Sequence, residues 1–155
     1  LTPRLASASK AAKEYAEMPN TRFNPQEALI CAMVLIAVSD SRMSDGELGT
    51  MSRLVQELPV FSDFTASEID QVTEIVLGLL GDTDGLDRAF TLIRDVLPSR
   101  LRETAYLLAC EVAAADGDPS QEALQFLQDF RIAMDLDRLV AGAIERATKA
   151  RYQVI

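Results

Sequence analysis

Ala28-Leu29-Ile30-Cys31-Ala32-Met33-Val34-Leu35-Ile36-Ala37-Val38 is an unbroken run of eleven apolar residues, followed by Asp40 and then by Ser44-Asp45-Gly46-Glu47. A helix that is apolar on every side must be surrounded by other helices, so the run predicts a central core helix. Its start is marked by Asn24-Pro25-Gln26-Glu27: a capping side chain, proline at the first helical position and an acid in the first turn. The helix is expected over about 25–39. Ser44 with Glu47 three residues on is a capping-box pattern that opens a second helix. Its one-sided stripe, Leu48, Met51, Leu54, Val55 and Leu58, ends at Pro59.

A constant shift of 76 positions finds the same plan again. Glu27 pairs with Glu103, Ala37 with Ala113, Asp40 with Asp116 and Ser44 with Ser120, without a gap. Leu48, Met51 and Leu54 meet Leu124, Leu127 and Phe130 in the same register. Two copies at this spacing predict a duplicated, pseudo-two-fold helical bundle rather than a solenoid. The copies differ at Leu35, replaced by Glu111, and at Ser41-Arg42, replaced by Gly117-Asp118.

The intervening segments are also helical in pattern. Thr65 with Glu68 opens a stripe of Ile69, Val72, Ile75, Val76, Leu79 and Leu80, with Gly81 as its stop. Asp82 or Asp84 is the expected cap of the next helix, with Leu86, Ala89, Phe90, Ile93 and Leu97 on its core side. Asp135 is expected to begin the last helix, striped by Leu136, Leu139, Val140, Ala143 and Ile144. No apolar–polar alternation or hairpin turn signal appears, so the reading is all-α with seven to eight helices. Residues 1–22 form an N-terminal helical extension in this reading, and 23–155 the helical domain.

The 155 residues suffice for one domain with a real core. A net charge of −9 and the lack of a basic stripe argue against nucleic-acid binding and docking on anionic lipid. The longest apolar run is too short to span a bilayer, and no signal-peptide pattern is visible. The chain opens on Leu1 rather than Met, so removal of an upstream segment stays open. Cys31 and Cys110 fall inside apolar runs and read as core residues in a reduced, cytoplasmic setting. With no histidine, the Ser-His-Asp and Cys-His arrangements and imidazole zinc sites are excluded. No catalytic residue is identified, and a hydrolase working through paired carboxylates ranks last.

The acids at the turns carry the candidate chemistry. Asp40, Glu47, Glu111, Asp116 and Glu122 make an all-oxygen ligand set, suited to Ca²⁺, Mn²⁺ or Mg²⁺. Helix capping and ion pairing explain the same acids without a metal. Glu111 inside an apolar run must be paired, protonated or near the surface, with Arg53 or Arg131 as counter-ion candidates. An EF-hand is excluded, because Gln121 stands where its loop needs glycine and Leu127 where it needs glutamate.

The segments 28–40 with Ser44-Asp45-Gly46-Glu47, and Leu108-Ala109-Cys110-Glu111-Val112-Ala113-Ala114-Ala115-Asp116-Gly117, together resemble the tellurite-resistance TerB family over residues 23–140. The first copy departs from the Ala-Asp-Gly pattern, reading Ser39-Asp40-Ser41. The resemblance implies an α-helical pseudo-symmetric fold, a stress-response role, links to membrane-associated complexes and divalent-metal binding through an acidic surface. It carries no catalytic residues and no organic cofactor. Two readings follow: a non-enzymatic stress-response protein binding a divalent cation through its acidic turns, or an interaction module for a membrane-associated protein partner with no physiological metal.

Overall fold

Asn24 caps the first helix as its sequence demands: its side chain accepts from the Glu27 amide, and Glu27 accepts in return from the Asn24 amide. In the computed structural model, which describes residues 23–155, this helix is α1 (Pro25–Ala37). Then follow α2 (Asp45–Glu57), a single 3₁₀ turn (Pro59–Phe61), α3 (Ala66–Leu80), α4 (Gly85–Val96), α5 (Ser99–Ala113), α6 (Gln121–Ala133) and α7 (Arg138–Arg151). The described residues are thus all-helical, with seven α-helices and no strand. None of these helices is long and apolar enough to cross a membrane. The helix expected at 1–18 lies outside the described residues.

Every residue of α1 from Ala28 to Ala37 is buried, which is why its pattern has no polar face. It packs against α3, α4, α5 and α6, while α5 also carries α2, α6 and α7. Full burial of each Leu, Ile or Met along these two helices contributes roughly 1.5–3 kcal/mol. Phe90 of α4 joins Phe126 and Phe130 of α6, with ring centroids 5.6 and 5.5 Å away. Cys31 and Cys110 are both buried and unbridged, as the core reading expects.

Several local expectations need correction, among them Leu86, placed on a core side but exposed. Asp137, not Asp135, caps α7, its carboxylate accepting from Leu139 N at 2.7 Å. Asp135 instead holds a left-handed turn at φ 54°. Asp82 pairs with Arg88, and Asp84 at the start of α4 makes no side-chain capping bond. Leu48 and Leu124, placed on core stripes, are 44% and 46% exposed, and Leu139 is 84% exposed. Each falls on the side of its first turn that no other described element covers, whereas Ala123, beside Leu124, is buried.

Candidate functional site

The two acidic turns lie at the C-terminal ends of α1 and α5. Ser41 and Gly117, matched by the 76-residue shift, both take positive φ, 124° and 106°. Glycine adopts this conformation freely, whereas serine is strained there. The turns therefore bend alike although only one of them carries the glycine.

The second turn closes the helix that follows the first. Asp116 Oδ2 accepts a hydrogen bond from Ser44 Oγ at 2.5 Å. A Cβ placed on Gly46 would collide with Asp116 Oδ1, so the glycine gives this carboxylate its seat over the first turn of α2. A carboxylate there complements the positive end of the helix dipole. Ser44 Oγ also accepts from the Glu47 amide at 3.0 Å, and Glu47 Oε1 accepts from the Ser44 amide at 2.9 Å, completing the capping box. Burial pushes the Glu47 carboxyl above its ordinary range, its bonds to Ser44 pull it back, and Asp40 and Asp116 push it up again. Asp40, Glu47 and Asp116 are thereby gathered in one electrostatic neighbourhood.

Glu111 does not join them through any hydrogen bond or ion pair. It is only 3% exposed, and both its oxygens are taken. Arg151 Nε lies 2.7 Å from Oε1, and the Tyr152 hydroxyl donates to Oε2 at 2.5 Å. Arg53 Nη2 stands 3.9 Å from Oε2 and donates to the Tyr152 oxygen at 2.9 Å. Glu111 in turn raises the Arg151 guanidinium, while burial first and then the Glu111 bond raise the Tyr152 phenol. Arg53 was one of the two arginines nominated from sequence; Arg131, the other, makes no ion pair with Glu111. Nothing in the sequence marked Arg151-Tyr152 as partners, since an exposed last turn rich in basic residues is ordinary helix chemistry.

Glu122 stands apart as well, exposed at the start of α6 beside a groove of about 580 Å³ lined by Leu35, Val38, Leu86 and Phe126. Of the five candidate ligands, Glu47 and Asp116 meet at Ser44, Asp40 acts on Glu47 through its charge, and Glu111 and Glu122 are placed elsewhere. Among the described residues no group of three or more His, Cys, Asp or Glu side chains is arranged to hold a metal ion. The gathered acids present an accessible negative surface rather than a closed oxygen cage.

A larger groove, about 760 Å³, opens between α5, α6 and α7. Tyr106 and Cys110 line it from α5, and the buried Tyr106 hydroxyl donates to Glu145 Oε1 at 2.5 Å. Burial, and then this bond, hold the Tyr106 phenol well above its ordinary range. Burial, with Glu145 and Glu111 adding to it, pushes the Cys110 thiol up to about 12. This groove is not legible in the residues, because its apolar lining comes from stripes that read as core.

Comparison with protein families, with curated proteins and with solved structures finds no match to this chain. The likeness to the tellurite-resistance TerB family therefore rests on the quoted residues alone.

Proposed function

We propose that this chain is a non-enzymatic interaction module of the stress-response, TerB-like kind, holding the basic segment of a protein partner on the joint between its two acidic turns. The observation that carries this reading is the seating of Asp116 over Gly46, which brings the second turn against the first turn of α2. Asp40, Asp45, Asp116 and Asp118 are exposed around it, with Leu48 exposed one turn further along α2. A carboxylate surface beside an exposed leucine complements an amphipathic segment carrying lysine or arginine next to apolar residues. The duplicated unit supports the same reading: α1 packs on α3 as α5 packs on α7, and α2 leans on α5 as α6 leans on α1.

The probe is a helical lysine–leucine peptide, titrated calorimetrically into the chain. Asp40→Asn combined with Asp45→Asn removes two charges from the joint, and Asp70→Asn with Asp95→Asn removes two exposed charges elsewhere. The joint variant is expected to weaken binding about tenfold or more, and the control variant by less than about threefold. Equal weakening by both variants would show only a net-charge effect and overturn the reading.

A divalent cation at the joint is the second reading, favoured by the combined push of Asp40 and Asp116 on Glu47. A cation would relieve that repulsion. Titration with Ca²⁺, Mn²⁺ and Mg²⁺ at millimolar concentration tests it. Absence of both binding heat and a thermal shift at millimolar ion would overturn it.

A further inference from the structure

Among the described residues four arginines are half-buried. Arg53 bonds Glu57 and Tyr152, Arg88 pairs with Asp82, and Arg102 donates to the carbonyls of Leu97 and Arg94. Arg131 is the exception: its guanidinium has no hydrogen bond or ion pair to any described residue. A partly desolvated cation without a partner is costly, and its planar fork matches a carboxylate.

Arg131 lines the groove between α5, α6 and α7. Its apolar side is built by Ala113, Ala114, Leu124 and Leu127, with Leu124 left largely uncovered. A volume of about 760 Å³ falls within the range of small-molecule sites. Lys149 adds a second positive charge to the lining. Two acids also border the groove: Glu145, engaged by Tyr106, and Asp118. Neither forms an ion pair with Arg131. With two cations and two anions around an apolar wall, a single negative charge is welcome at Arg131 and a second would meet Glu145 or Asp118. The net charge of −9 opposes this little, because ions screen charges beyond about 8 Å.

We propose that this groove binds a small amphipathic carboxylic acid, its apolar body against Leu124 and Leu127 and its carboxylate on Arg131. The site adjoins the acidic joint through Gly117 and Asp118, but its carboxylate seat at Arg131 does not depend on a protein partner there.

Dodecanoate below its micelle concentration is the probe, with dodecanol and dodecyltrimethylammonium as uncharged and cationic counterparts, titrated into the full chain. Dodecanoate is expected to bind about tenfold or more tightly than either. Arg131→Gln should abolish that preference, Arg131→Lys should restore part of it, and Glu145→Gln should keep or strengthen it. Unchanged helical content and melting temperature in Arg131→Gln exclude a folding defect. Dodecanol binding as well as dodecanoate, or an unchanged preference in Arg131→Gln, would overturn the proposal. So would a leucine-rich peptide with a free C-terminal carboxylate binding tenfold more tightly than dodecanoate, which would make the occupant a protein. The Asp40→Asn, Asp45→Asn joint variant should leave dodecanoate binding unchanged, which separates failure here from failure of the partner reading.

Discussion

Ser44 and Asp116 stand 72 residues apart in the chain, and Ser44 Oγ donates to the Asp116 carboxylate. One serine therefore caps its own helix through the Glu47 amide and ties that helix to the turn that follows α5. The joint between the acidic turns is a specific bond at a helix end, not a general gathering of charge.

Gly46 and Asp116 should behave as one unit. Gly46→Ala forces the carboxylate off its seat but gains helix propensity, so it should cost less than Asp116→Ala, whose loss is roughly 1 kcal/mol. With Asp116 already replaced, Gly46→Ala should become neutral or stabilising, because Ala is favoured over Gly in a helix by up to about 1 kcal/mol. A urea-denaturation double-mutant cycle measures the change of sign. Additive costs would mean that the two residues do not meet.

Glu111 should show the asymmetry of a buried, fully partnered carboxylate. Glu111→Ala leaves a cavity and deprives Tyr152 of its acceptor, for a loss of about 3 kcal/mol. Glu111→Leu, which restores the residue type found at Leu35, should cost less because it fills the space. Tyr152→Phe should cost about 1–2 kcal/mol in the native chain and much less in the Glu111→Leu background. Denaturant midpoints of the native chain and the four variants settle the order. Equal costs for Ala and Leu would contradict it.

Much of this could be read in the residues, and what could not has a common cause. Asn24–Glu27, Ser44–Glu47 and Ser120 act within one helical turn, so their capping is visible in the local sequence. The apolar run 28–37 is unambiguous because a helix that is apolar all round has one place to go. Partners at long range carry no such mark: Tyr152 reaches Glu111 across 41 residues, and a terminal Arg-Tyr pair looks like any other helix end. Leu48 and Leu124 satisfy the helical stripe yet stay exposed, since periodicity reports a face and not whether another helix covers it. The proposed ligand set divided for the same reason. Five acids at similar distances from helix ends point in directions set by packing.

Glu47 sets a pH dependence with a definite sign. Its folded-state value is raised above the ordinary 4.5, so its contribution to stability is fully present below that pH and is lost as pH rises through the folded value. Glu47→Gln keeps a capping-box acceptor while removing the charge. The variant should gain on the native chain at pH 7, and the gain should shrink as pH falls through the raised folded value and be gone by about 4.5. Melting temperatures at pH 4 and pH 7 test this. A gain that grows in acid would reverse the assignment.

Ser41 is the strained member of the matched pair of turns. Ser41→Gly should stabilise the chain by up to about 1 kcal/mol, since glycine takes positive φ without steric cost. Gly117→Ser should lose a similar amount. Thermal melts of both variants check the pair, and destabilisation by Ser41→Gly would show that the serine is not strained.

Where a basic partner segment sits is answered most directly by amide shift mapping. The lysine–leucine peptide is added to isotopically labelled chain and the perturbed amides are assigned. The largest changes are expected over residues 40–48 and at Asp116, around Asp40, Glu47 and Leu48. Changes confined to α7, or to the groove beneath Arg131, with the joint silent, would contradict a binding face built where the two acidic turns meet.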